Sequence, residues 1–273
     1  MTDYPESPGP LISKGRTAEI LQFGEGRVLK LFFDRYPERY AVTEAQIGRL
    51  VYQSGVPVPR IYDLVTINGR HGIVYQHVIG ETMLVHLKRQ PWRLTALARL
   101  MAELHAALHQ IVLPELNAQP ARLSEQLAAA PGLTNFTCSH LLEKLERMQS
   151  GVQALCHGDF HPDNVILTAT GPVIIDWLTA TSGDPAADVA RSRLLLEISQ
   201  PVHDQTLRDR LLVAAIRRLF VSRYLKHYCK LTGLSESRLK AWEPIVAAAR
   251  LSEGIMPEEA VLRTKIAAPS SVS

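Results

Sequence analysis

Three polar groups at fixed spacing could carry out one kind of chemistry. The run Cys156-His157-Gly158-Asp159-Phe160-His161-Pro162-Asp163-Asn164 holds an Asp and, five positions on, an Asn. Val173-Ile174-Ile175-Asp176 then adds a second Asp twelve positions after the Asn. Each sits where apolar, strand-forming residues meet a turn. Phosphoryl transfer from ATP requires a carboxylate that receives or orients the proton of an attacking hydroxyl. It also requires an amide and a second carboxylate that hold Mg²⁺ against the phosphates. On this reading Asp159 is the base, and Asn164 and Asp176 are hard oxygen ligands for the metal. The bland alternative is a hairpin whose Asp and Asn serve turn chemistry alone.

The upstream elements decide against that alternative. Lys30 interrupts the apolar run Arg27-Val28-Leu29-Lys30-Leu31-Phe32, and a buried ammonium is costly unless paired. Glu44, in the helical stretch that follows, is the expected partner. Glu38 is second choice, because an acid near a helix start is explained by the helix dipole alone. Ala18–Phe23 and Arg27–Phe33 read as strands around Gly24-Glu25-Gly26, and residues 36–54 carry helical spacing that stops at Gly55. Residues 61–67 and 72–78 form a second hairpin around Asn68-Gly69. The order β-β-β-α-β-β gives an antiparallel sheet with one helix.

Beyond Gly80 the pattern turns helical. Leu94, Leu97, Leu100, Met101, Leu104 and Leu108 share one face of a helix over 92–111, and further helices are expected over 185–198, 205–231, 235–251 and 257–266. The predicted fold class is α+β, with a small antiparallel β-sheet lobe over 1–78 and a larger, mainly helical lobe over 79–273.

His-Gly-Asp-x-x-x-x-Asn followed by Ile175-Asp176-Trp177 resembles the aminoglycoside phosphotransferase and choline kinase superfamily, small-molecule kinases on a two-lobed protein-kinase-like fold. The resemblance spans roughly residues 14 to 265 and is weakest between about 112 and 150. It implies that Lys30 reaches the ATP phosphates while paired to Glu44, which lies eleven positions before Gly55 as in the family pattern. It also implies that Gly15 and Thr17, one strand before Lys30, lie near the phosphates, whereas Gly24-Glu25-Gly26 is too close to Lys30 for that role. Tyr75-Gln76-His77-Val78 falls at the hinge, where the backbone of Gln76 and Val78 would meet the adenine edge. Trp177 and Leu178 stand where protein kinases carry the Phe and Gly of Asp-Phe-Gly, and Gly158 where they carry Arg. Asp184 before Pro185 reads as a helix cap. Asp188 either braces the catalytic loop or answers the helix dipole. His157 and His161 read as packing and loop residues.

The cofactors implied are ATP and Mg²⁺, and the partner is a small-molecule hydroxyl acceptor. Asp176 and Asp184 lie eight positions apart, a link too short to dock a peptide. An amine-bearing acceptor is slightly favoured, held by Asp163 and Glu253, with Glu197, Glu258 and Glu259 as further carboxylates. The alternatives are a nucleotide-binding regulator or pseudokinase, and a kinase acting on a protein or lipid. A net charge of +3 argues for neither nucleic acid nor an anionic membrane surface. Three scattered cysteines give no disulfide framework, so a reduced, cytoplasmic setting is expected. The first residues do not read as a signal peptide, and both tails, about 1–10 and 267–273, read as frayed.

Overall fold

The computed structural model describes residues 7–198 and 207–267. The expectation of frayed ends falls mostly outside these residues, as does the expected start of a helix at 205. The chain forms two compact units: residues 1–85 with 163–179, and residues 86–162 with 180–273. This division differs from the expected boundary near residue 79. The segment bearing Asn164 and Asp176 joins the N-terminal unit, because its hairpin pairs there.

In the first unit, β1 (Leu11–Lys14), β2 (Ala18–Gln22), β3 (Arg27–Phe32), β4 (Ile61–Ile67) and β5 (Arg70–Gln76) form an antiparallel sheet in the order β1-β2-β3-β5-β4. Side chains alternate between the faces of a strand. Phe32 on β3 packs with Ala18, Ile61 and Ile73 against Ala41 and Ala45 of α1 (Arg39–Gln53). Leu29 and Leu31 pack with Phe23, Val65 and Val74 in a separate cluster. Lys30 shares the parity of Phe32 and so belongs to the α1 face. The turn Asn68-Gly69 has φ of 51° and 79°, the left-handed pair that its sequence predicted for a tight hairpin. Phe23 N–H bonds the Arg27 carbonyl across Gly24-Glu25-Gly26, so these glycines serve the hairpin.

A second, three-stranded sheet joins β6 (Glu81–Thr82), β8 (Val165–Thr168) and β9 (Gly171–Ile174) in the order β6-β8-β9. Val165 pairs with Ile174, and Ile175 N–H bonds the Asn164 carbonyl at 3.0 Å. Asn164 and Asp176, twelve positions apart in sequence, therefore flank the open end of one hairpin.

The second unit is helical: α3 (Leu94–Leu108), α4 (Gln119–Ala129), α5 (Asn135–Met148), α6 (Pro185–Ile198), α7 (Leu207–Thr232), α8 (Glu236–Leu251) and α9 (Glu259–Ala267). The helix expected over 92–111 is shorter, with a 3₁₀ turn at Pro91–Arg93 ahead of α3. Residues 112–150, where the sequence was least informative, supply α4 and α5. Two short strands, β7 (Ala154–Cys156) and β10 (Thr181–Gly183), pair antiparallel among the helices. Between β5 and β7 the chain also passes through α2 (Met83–Arg89).

Gly80 tests how closely the small sheet is built. A Cβ added there would strike the Leu167 carbonyl oxygen and the Ile166 side chain. Gly80→Ala must push β8 aside, and should lower the unfolding free energy by about 1–3 kcal/mol in urea titrations. An unchanged midpoint would show that β8 has room to move.

Candidate active site

Lys30 leaves the centre of β3 toward α1, where its ammonium meets both oxygens of Glu44, at 2.6 and 2.8 Å. Asp176 lies 3.1 Å from the same nitrogen, and Tyr75 donates its hydroxyl to Glu44 at 2.8 Å. Burial alone would push the Lys30 ammonium toward deprotonation. Asp176 and Glu44 reverse this and hold it charged, above its ordinary pKa. The sequence named the right partner: Glu44 is buried, while Glu38 is exposed at the start of α1.

Asp176 has φ of 66°, a left-handed conformation that costs energy for any residue with a Cβ. The turn aims its carboxylate at Lys30 instead of extending β9. Trp177 is buried beside it and donates its indole N–H to the Ile174 carbonyl at 3.1 Å, which pins the segment. A cavity of about 550 Å³ opens here, within the size range of small-ligand sites. Gly15, Thr17, Lys30, Glu44, Gln76, Val78, Asp163, Asn164 and Asp176 all line it. Asn164 and Asp176 give it an amide and a carboxylate, hard oxygens of the kind that Mg²⁺ takes.

In the second unit, β7 delivers His157-Gly158-Asp159. Asp188, on α6, accepts the N–H of His157 at 2.7 Å and that of Gly158 at 2.8 Å. The same carboxylate meets Nε2 of His105 at 3.0 Å and Nε2 of His109 at 3.3 Å. Because a carboxylate only accepts, both Nε2 atoms carry hydrogen. Each Nδ1 then accepts a tyrosine hydroxyl at 2.6 Å, from Tyr224 and Tyr228. Burial, and next the neighbouring His109, lower the pKa of His105 to about 4. Burial would raise Asp188, but the His105 and His109 hydrogen bonds hold it well below the usual carboxylate range. His105, His109 and Asp188 are close enough to hold a metal, yet every ring nitrogen already has a hydrogen bond. The brace reading of Asp188 is the one that the geometry supports.

Gly158 has φ of 77°, and its carbonyl accepts a bond from Arg191 Nε. The conformation favours glycine, which accounts for Gly where protein kinases carry Arg. Burial would raise the Asp159 carboxyl. His161, 3.6 Å away, and Arg191 outweigh this and hold it ionised, below the carboxylate range. His161 is therefore electrostatically coupled to Asp159, beyond the loop role expected of it. His157 is buried and accepts the Asp159 N–H at 3.2 Å. Asp184 caps α6 through the Ala186 N–H at 2.8 Å, as its place before Pro185 predicted.

Of the five expected cation-holding carboxylates, all but Asp163 are paired with cations of the chain itself. Glu253 is held by Arg191 at 2.6 Å and by Arg250. Glu258 pairs with Arg250, Glu259 with Arg263, and Glu197 with Arg193 and Lys265. Asp163 accepts the Thr82 hydroxyl at 2.9 Å and lines the cavity of Lys30. A sequence displays carboxylates without their partners, and four of these five are already neutralised by the chain's own cations. Sequence reasoning also passed over His105, His109, Tyr224, Tyr228, Arg191 and Arg250. The i, i+4 spacing of the two histidines, and of the two tyrosines, was the available signal.

The sequence profile of the phosphotransferase enzyme family (APH) matches residues 10–242, and the chain belongs to that family. Its α+β fold is that of solved kinases of this kind. The aminoglycoside-3'-phosphotransferase of type VIII is 20% identical, with a TM-score of 0.61 over 92% of this chain and 94% of that one. The aminoglycoside phosphotransferase APH(4)-Ia, in a ternary complex with AMP-PNP and hygromycin B, is 16% identical, with a TM-score of 0.64 over 96% and 91%. A choline/ethanolamine kinase family protein from Mesorhizobium loti is 14% identical, with a TM-score of 0.56 over 97% and 85%. At these identities the likeness is one of fold. No curated protein matches the sequence.

Two measurements check the electrostatics. Lys30→Met leaves Glu44 buried without its cation and should cost about 3–5 kcal/mol of stability. Adding Glu44→Gln, which keeps an acceptor for Tyr75, should restore much of the loss. A double variant no better than the single would contradict the pairing.

The second measurement concerns pH. Unfolded His105 takes up a proton as pH falls through about 6.5, while the folded residue stays neutral to about 4. Its contribution is therefore fully present above pH 6.5 and is lost as pH falls. Stability should drop by about 1–2 kcal/mol between pH 6.5 and 5, and His105→Gln should flatten that slope. An equal slope in the variant would remove His105 as its source.

Proposed function

We propose that this protein transfers the γ-phosphoryl group of ATP, bound with Mg²⁺, to a hydroxyl of a small polar molecule. The observation that carries this reading is the shared ammonium: Lys30 is held by Glu44 and Asp176 in a cavity also lined by Asn164. Lys30 would contact the nucleotide phosphates. Gly15 and Thr17, in the turn closed by the Gly15 N–H to Ala18 carbonyl bond, would cover them. Gln76 and Val78 would offer backbone groups to the adenine edge. Asn164 and Asp176 would hold Mg²⁺, which neutralises charge on the phosphates when bound. Transfer through a loose transition state needs positioning and charge neutralisation above all.

Asp159, ionised and fixed by its loop, would orient the acceptor hydroxyl and take its proton. The short link, with Asp184 eight positions after Asp176, favours a small acceptor over a peptide. The APH(4)-Ia complex holds a small molecule, hygromycin B, together with AMP-PNP. Intact Lys30, Asp159, Asn164 and Asp176 argue against a pseudokinase. The free thiols of Cys138, Cys156 and Cys229 fit a cytoplasmic setting. Among the described residues no helix is long and apolar enough to cross a membrane.

Mg²⁺-ATP at about 100 times its dissociation constant should add roughly 2.7 kcal/mol of stability, an effect that Asp176→Ala weakens. Asp159→Asn should keep that nucleotide stabilisation while turnover of an acceptor, read as ADP release, falls about 10²- to 10⁴-fold. Melting unmoved by ATP or GTP with Mg²⁺ would overturn the kinase reading. Near-full turnover by Asp159→Asn would remove the base assignment alone.

A further inference from the structure

Arg122 is a half-buried guanidinium with no hydrogen bond or ion pair to any described residue. The other arginines of this region are partnered: Arg191 with Glu253, Arg193 with Glu197, Arg250 with Glu258, and Arg263 with Glu259. Glu253 makes its ion pairs with Arg191 and Arg250 and none with Arg122.

The setting of Arg122 follows from how α4 is anchored. Gln119, at the first turn of the helix, accepts the Asp184 N–H at 2.9 Å. Ala118 bridges to Ser182 on β10, β10 pairs with β7, and β7 runs into His157-Gly158-Asp159. Arg122 lies one turn into α4, on the unit that carries the catalytic loop. Its charge is felt by Arg191, Glu253, Glu125 and Asp159, and it forms an ion pair with none of the three carboxylates. Burial first, and then repulsion from Arg191, lower its pKa. An unpaired, partly desolvated guanidinium is unfavourable in the free protein. A planar oxyanion, which matches its fork of donors, would relieve the cost. Glu125, Glu253 and Asp159 would repel a dianion, so a single carboxylate suits the site better than a phosphate.

We propose that Arg122 is a specificity-determining residue that binds a carboxylate on the acceptor, making the substrate a small hydroxy acid whose hydroxyl is presented to Asp159. This rests on the phosphotransferase reading and replaces the amine preference taken from the sequence.

The test compares two- to six-carbon hydroxy acids, glycerate and gluconate included, with their amides and with amino alcohols. Binding is read by thermal shift in the presence of Mg²⁺-ATP, and turnover by ADP release. At least one hydroxy acid should be a substrate and its amide far poorer. Arg122→Gln should raise KM for the acid roughly 30-fold or more, leave KM for ATP unchanged, and narrow the preference for acid over amide. Arg122→Lys, which keeps the charge without the fork, should fall between. A unique thermal transition in each variant excludes misfolding as the cause.

If Mg²⁺-ATP binds but no carboxylate binds or is turned over, or if Arg122→Gln leaves KM for the acid unchanged, the inference is wrong and the kinase reading stands. Amides or amines that match the acids overturn it equally. If ATP has no effect while the acids bind through Arg122, the carboxylate site stands and the kinase reading fails.

Discussion

One ammonium shared by two carboxylates organises the N-terminal unit. Lys30 comes from the middle of β3, Glu44 from α1, and Asp176 from the residue after β9. Three elements from distant parts of the chain thus meet at one charge. None of the three groups is comfortable alone: Glu44 is buried, the lysine is largely so, and Asp176 sits in a left-handed conformation. Each makes the others tolerable, because an unpaired charge in such a place costs several kcal/mol. The ammonium lines the same cavity as Gly15, Thr17 and Asn164.

A second carboxylate does comparable work in the helical unit by different means. Asp188 accepts the backbone N–H groups of His157 and Gly158 and two imidazole N–H groups, each imidazole steadied by a tyrosine. Four donors satisfy one buried anion. The loop is therefore held by its backbone. Arg191 adds a further restraint on the Gly158 carbonyl, and the chain Arg191–Glu253–Arg250–Glu258 carries that restraint back to the end of α8. Alternating charge along this chain explains how two buried arginines are accommodated.

Much of this was legible in the sequence, for physical reasons. Lys30 stood out because a charge inside an apolar strand needs a partner, and the resemblance to the kinase family pointed to Glu44 in the helix that follows. The hairpin that joins Asn164 to Asp176 followed from short apolar runs around turn residues. The histidine brace was hidden by its context. The leucines of α3 suggested a purely apolar stripe, whereas the buried centre of that face runs through Leu97, Met101 and His105, with Leu100 and Leu104 only half-buried. The carboxylates misled, because Glu253 and Arg191 are 62 positions apart and composition does not reveal pairing. Arg122 was unreadable for the converse reason: a lack of partners becomes visible only when the neighbours have been placed.

The central claim is that the Lys30 cavity binds a nucleotide triphosphate through a metal held by Asn164 and Asp176. Calorimetric titration of AMP-PNP into the protein, with and without Mg²⁺, tests it most directly. The account predicts one site per chain whose affinity rises at least tenfold with the metal, and whose metal dependence is lost in Asn164→Ala. Binding of equal strength with and without Mg²⁺, or no binding at all, would contradict it.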